Sequence, residues 1–199
     1  MIKTMNYLAH VYLSGSDKDL IIGNFIADHV KGKAYLDYPE TIQKGILLHR
    51  KIDDFTDHHP LFKKNVTLLF PQFRHYSRVI VDMFFDHFLA AQWELYHPDP
   101  LEDFSRQFYL LMQEYSGSLP DKTKKILPIL SKYNWFVAYQ SLKGLEDILF
   151  QMSQRTRFPS KMSLAVVELE KNYSKIALDF NTFFTELINF VQSERENLS

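Results

Sequence analysis

Val79-Ile-Val-Asp-Met-Phe-Phe-Asp-His-Phe-Leu89 contains no proline or glycine, and apart from Asp82 and Asp86 every residue in it is apolar or histidine. Apolar content on all sides reads as a helix buried on most of its faces. Asp82 and Asp86 are four apart and share one face of that helix. Two like charges at that spacing repel by roughly 0.2–0.5 kcal/mol even on an exposed helix. Buried and unpaired, each would cost far more. A proton, a basic side chain or a metal ion has to offset them. His87 follows directly and points about 100° away around the helix, where it either orients a ligand or fills the core.

Outward from this stretch the chain reads as all-α. Its 199 residues suffice for a sizeable core. A content of 46% hydrophobic and 15% aromatic residues excludes disorder. A formal net charge of −1 excludes a globally basic nucleic-acid binder. There is no cysteine, so disulfide and thiolate chemistry are excluded, which suits a cytoplasmic protein. Asn6 and His10 interrupt the place where a signal peptide carries its apolar run. No apolar stretch reaches about 18 residues, so no membrane span is expected. With six glycines, eight prolines and few alternating patterns, helices are expected throughout. There is no repeat, low-complexity tract or linker, and residues 1–199 read as a single helical domain.

The spacing predicts helices over Asn6–Leu13, from an Asp17 cap to Val30, and from Tyr38-Pro39-Glu40 to just before Pro60. Further helices are predicted over Leu61–Phe70, closed by Pro71, and over Ser77–Tyr96, ended by His97-Pro98. Then come Leu101–Tyr115, Asp121–Tyr133, Trp135–Gln140, Leu142–Gln154, and Ser160 to near Glu196 with a break near Tyr173.

Placed on these helices, polar residues pair at a spacing of four: Asn6 with His10, Asn24 with Asp28, His49 with Asp53 and then Asp57, and Asp82 with Asp86. Carboxylates and imidazoles from facing helices are how bundles build metal sites. A mixed His and Asp set suits Mn, Fe, Zn or Mg, and one or two ions are compatible with it. Each pair also has an ordinary reading. Asn6–His10 and His49–Asp53 can be simple hydrogen-bonded pairs, Asn24–Asp28 can cap a helix end or meet Lys31, and Asp57 can cap the following helix. Asp54 is expected to pair with Arg50. His58 and His59 are candidate general acids or plain loop, and His29, His75 and His97 read as surface.

Met5-Asn-Tyr-Leu-Ala-His-Val-Tyr-Leu-Ser14, Gly23-Asn-Phe-Ile-Ala-Asp28, Gly45-Ile-Leu-Leu-His-Arg-Lys-Ile-Asp53 with Phe55-Thr-Asp57, and Asp82 to Asp86-His-Phe-Leu89 with Trp93 resemble the bacterial acyl carrier protein phosphodiesterase family. The likeness covers roughly residues 5–97. It implies a divergent branch of the HD phosphohydrolases, all-α, with an HD-like bundle and manganese as the usual metal. It also implies hydrolysis of the bond between 4′-phosphopantetheine and a serine of holo acyl carrier protein. The chain has Asp86-His87 where the ordinary HD pattern has His-Asp, so ligands do not transfer one for one.

On this reading His49, Asp53, Asp82 and Asp86 form the inner metal shell, with Asp28 joining, and the ion activates water. Asp57 steers the proton and Arg50 clamps a phosphate oxygen. Asn6, His10 and Asn24 orient the ligands. Lys31, Lys33, Lys63, Lys64, Arg74, Arg78, Arg155, Arg157 and Lys161 are candidate contacts for the acidic carrier protein. Three other readings stay open: a metal phosphohydrolase of small phosphoesters, a non-catalytic binding protein whose aspartates are held by Arg or Lys, and a di-iron bundle. The last wants Glu-x-x-His on two helices, and only Glu94 has a histidine three residues on.

Overall fold

The computed structural model describes residues 6–156 and 160–197, which form ten α-helices and no strand. They are α1 (Tyr7–Leu13), α2 (Lys18–Ile26), α3 (Glu40–His58), α4 (Pro60–Phe73), α5 (Ser77–Ala91), α6 (Leu101–Glu114), α7 (Asp121–Lys132), α8 (Trp135–Ala138), α9 (Leu142–Ser153) and α10 (Ala165–Glu196). The all-α expectation holds. Among the described residues no helix is long and apolar enough to cross a membrane.

The stretch from Val79 to Ala90 is buried throughout, and α5 runs through the middle of the core. Phe85 and Phe88 meet Phe180 and Phe183 of α10, with ring centroids 5.0–5.7 Å apart. Local chemistry sets several helix starts. The Asp17 carboxylate accepts the N–H groups of Asp19 and Leu20 at 2.9 and 3.0 Å, and the Ser141 hydroxyl accepts that of Gly144 at 3.0 Å.

Some boundaries differ from the sequence reading for identifiable reasons. α4 continues past Pro71 to Phe73. Both Pro71 and Thr67, whose carbonyl loses its donor, are exposed, so water can satisfy that carbonyl. α2 stops at Ile26, and Asp28 sits on a 3₁₀ turn, Ala27–His29. α5 ends at Ala91, before a 3₁₀ turn at Trp93–Leu95. The break in the last helix falls at Asn172, whose side chain donates to the Glu168 carbonyl at 3.0 Å.

One close approach fixes the geometry of the functional region. α2 and α3 cross at Gly23 and Gly45, whose Cα atoms touch. A Cβ on Gly45 would lie 2.6 Å from the Leu20 carbonyl and 2.9 Å from the Gly23 Cα; one on Gly23 would lie 2.2 Å from the Ile42 carbonyl. Backbone cannot yield as a side chain tip can. The crossing sets Asn24 on α2 directly against His49 on α3. Gly45→Ala should therefore force the helices apart and destabilise the fold by about 1–3 kcal/mol. Chemical denaturation would read this as a lowered midpoint at constant slope, and an unchanged midpoint would mean that the crossing yields.

Candidate metal centre

The centre is built around the side-chain amide of Asn24, which is fully buried. Its Nδ2 donates to the His10 carbonyl at 3.0 Å and to the Ser14 hydroxyl at 2.9 Å, and that hydroxyl donates to the same carbonyl at 2.9 Å. Both Nδ2 partners are therefore acceptors, which fixes the orientation of the amide. Its Oδ1 must then accept, and it faces His10 Nδ1 at 2.7 Å and His49 Nδ1 at 3.0 Å. Both imidazoles thus carry hydrogen on Nδ1. The rings stack with centroids 4.0 Å apart and present both Nε2 atoms to the same side.

That side is lined with carboxylates. His10 Nε2 lies 3.3 Å from Asp53, and His49 Nε2 lies 3.3 Å from Asp53 and 3.6 Å from Asp28. Neither Nε2 makes a well-formed hydrogen bond. One ligand atom each from His10, His49 and Asp53 lies within 4.8 Å of the others, a group that could hold a metal ion. A neutral ring with hydrogen on Nδ1 has its Nε2 lone pair bare, the form in which histidine ligates metals. The two imidazoles are buried, whereas the Asp53 side chain is 30% exposed, so the centre opens to solvent over Asp53.

The proton balance points the same way. Burial alone would lower the pKa of His49, but the carboxylates of Asp28 and Asp53 facing its Nε2 outweigh it and push the value up to about 9. Burial and then the neighbouring His49 charge hold His10 below its ordinary value. Burial tends to raise Asp53, yet the two histidines pull its carboxyl well below the carboxylate range. Asp82, fully buried, is pushed well above that range by burial and then by Asp53 and Asp86. Its Oδ2 has no hydrogen-bond partner. In the absence of an ion, a proton on His49 occupies a position where positive charge is needed.

Asp86 has a different environment. Its two oxygens accept the N–H groups of Leu8 and Ala9 at 3.2 and 3.0 Å, so it caps the first turn of α1 from outside. Burial pushes its pKa up to about 8 against the pull of those two amides. The sequence reading puts Asp86 in the inner shell; in the structure each of its oxygens accepts one N–H group at a helix start. His10, read from sequence as an orienting residue, instead presents Nε2 beside His49. Asn24 keeps the orienting place, together with Ser14, which the sequence reading passed over although it stands four residues after His10. Asn6, at the start of α1, is buried with its Oδ1 unpartnered.

Other expectations are corrected. Arg50 does not pair with Asp54: its guanidinium donates to the carbonyls of Val30 and Gly32 at 3.1 and 2.8 Å and lies over Tyr35. Asp54 meets His58 instead, at 3.3 Å. Asp57 is ion-paired with Arg78. His59 caps α4 through the Leu61 N–H and reaches Glu186. His87 bonds the Tyr139 carbonyl at 2.7 Å and the Tyr173 hydroxyl at 2.9 Å, which makes it a core residue. His29 is not plain surface, since its ring meets Thr123 at 2.8 Å. Lys64 pairs with Asp179, Arg74 lies over Phe70, and Lys31, Lys33, Lys63, Arg155 and Lys161 are exposed. Arg157 lies outside the described residues. A cavity of about 530 Å³ opens elsewhere, between α1, α6 and the end of α10, and none of the centre's residues lines it.

Comparison with known proteins gives a consistent result. The family model of acyl carrier protein phosphodiesterase matches residues 5–187. Acyl carrier protein phosphodiesterases of Yersinia pestis and Pectobacterium atrosepticum are each 28% identical over 96% of this chain and 100% of their own length. That of Photorhabdus laumondii is 28% identical over 97% of this chain and 96% of its own. No solved structure matches the chain.

An ion bound at this centre must displace the proton of His49. Manganese binding near pH 7 should release at least one proton, and affinity should rise with pH until about pH 9. Calorimetry in buffers of different ionisation heat would measure the release, and binding without proton release would contradict the arrangement. With the ion chelated, His49 has a folded pKa above its unfolded value. Its contribution to stability is then complete below about pH 6.5 and lost as the pH rises through about 9. Asp82 and Asp86, also raised, act in the same direction. The melting temperature of chelated protein should fall across that window.

Proposed function

The chain belongs to the acyl carrier protein phosphodiesterase family, and on that premise we propose that it hydrolyses the phosphodiester joining 4′-phosphopantetheine to a serine of holo acyl carrier protein. The products are apo carrier protein and 4′-phosphopantetheine. The observation that carries the reading is the pair of imidazoles whose Nδ1 atoms share Asn24 Oδ1 while their Nε2 atoms converge on Asp53.

His10, His49 and Asp53 would hold a divalent ion, with Asp28 beside His49 and Asp82 at the inner wall. Nitrogen and carboxylate donors together suit a borderline or hard ion, and manganese is our assignment. When bound, such an ion supplies Lewis acidity to the phosphoryl group and acidifies water. The protein supplies the rest. Asn24 holds both rings so that neither can turn its protonated Nδ1 toward the ion. Burial of the histidines and of Asp82 keeps bulk water from the inner side, so substrate must arrive over Asp53. Of the candidate docking residues, Lys31 and Lys33 stand exposed just beyond the turn that carries Asp28, where they can meet an acidic partner.

Incubating the purified protein with holo acyl carrier protein and manganese should remove the phosphopantetheine mass from the carrier, and a chelator should block the loss. Folded Asp53→Ala should be inactive, whereas full turnover by this variant, or in chelator, would overturn the reading. Raising ionic strength should raise KM for the carrier protein and leave kcat nearly unchanged. A KM indifferent to salt would count against electrostatic docking.

A further inference from the structure

We propose that Arg78 is the residue that receives the substrate's phosphate at the open side of the centre. The inference rests on the phosphodiesterase reading. Asp28 and Asp53 converge on His49, and Asp82 lies near enough for its charge to be felt with theirs. A phosphodiester is itself an anion, so a cation has to meet it there. Arg50 is committed to two backbone carbonyls and the Tyr35 ring. Lys51 and Lys64 have acidic partners on α10, Glu194 and Asp179.

Arg78 differs because its contacts belong to the centre's own two rows. On α3, His49, Asp53 and Asp57 stand four apart on one face; on α5, Arg78, Asp82 and Asp86 do the same. The rows meet with Asp57 on Arg78, while Asp53 acts on Asp82 one turn along. Arg78 therefore stands one helical turn from the buried carboxyl and at the solvent end of both rows. Its side chain is 44% exposed, that of Asp57 45%, and its guanidinium rests over the Phe62 ring at 5.7 Å. A pair this exposed holds weakly. The guanidinium can then turn two parallel N–H groups to the non-bridging oxygens of a phosphate, a geometry that lysine cannot reproduce.

The test compares Arg78→Gln and Arg78→Lys with wild type on two manganese-supported reactions: holo carrier protein, and bis(4-nitrophenyl) phosphate, which has no protein surface to dock. The Gln variant should lose about 100-fold in kcat/KM on both substrates, comparable to removal of one preorganised donor. The Lys variant should recover only part of the loss. Melting temperature and manganese affinity should match wild type. A loss confined to the carrier protein would make Arg78 a docking residue, and no loss on either substrate would remove it from the mechanism. Weakened manganese binding would mean that it acts on the ligands. Any of these three results overturns the proposal, and if the Gln variant is unfolded, the Lys variant is judged by the same criteria. Should wild type leave either substrate uncut, inorganic phosphate titrated onto manganese-loaded protein decides. Binding weakened at least tenfold in the variant upholds the contact, and equal binding overturns it. Failure to cut the carrier protein counts separately, against the function.

Discussion

A carboxamide oxygen can accept two hydrogen bonds, and the centre depends on Asn24 using that capacity for two histidines at once. The amide cannot flip, because its nitrogen lies between two acceptors. One side chain therefore determines the tautomer of His10, the tautomer of His49, the stacking of their rings and the direction of their Nε2 atoms. The fold has to bring three helices to that point. α1 contributes His10 and the carbonyl that anchors the amide, α2 contributes the amide, and α3 contributes His49. Two glycines at the α2–α3 crossing let the last two approach.

The carboxylates make the arrangement costly without a cation. Isolated buried charges are among the most expensive groups in a fold, and native stability is only about 5–15 kcal/mol. The centre limits that cost by distributing it. Asp53 remains partly exposed beside two imidazoles that hold its carboxyl well below the carboxylate range, while burial pushes that of Asp82 well above it. Replacing the proton on His49 with an ion couples metal binding to folding, since only the folded chain assembles the donors. It follows that metal and proton compete for the same charge deficit.

The sequence made the faces legible and left many of the partners illegible. A spacing of four identifies which side chains share a helix face, so His49 with Asp53 and Asp82 with Asp86 could be read directly. It does not say what that face meets. Arg50 looks like the natural partner of Asp54 on one helix, yet the carbonyls of Val30 and Gly32 come from a loop folded back in three dimensions. Asp57 reads as a free carboxylate until Arg78 arrives from α5. Gly23 and Gly45 were legible only as parts of a motif, because a close approach between helices leaves no local periodic signal. The 3₁₀ turn carrying Asp28 was likewise hidden, since its residues suit a continuing helix as well.

Asp82 and Asp86 show most clearly how one pattern yields two roles. They lie on the same face of the same helix, one turn apart, and both are fully desolvated. Asp82 faces other carboxylates and has no hydrogen bond for its Oδ2. Asp86 faces two unpaired N–H groups at the start of α1. A seven-residue helix is far too short to be stable alone, and its N-cap residue, Asn6, makes no side-chain cap bond. The carboxyl from α5 supplies what is missing, satisfying two orphan donors where the helix dipole favours negative charge. His10 comes immediately after the second of those donors, Ala9. By holding the start of α1, Asp86 sets the height of His10 against Asn24 and Asp53, and so contributes to the centre through the backbone while its oxygens remain engaged elsewhere.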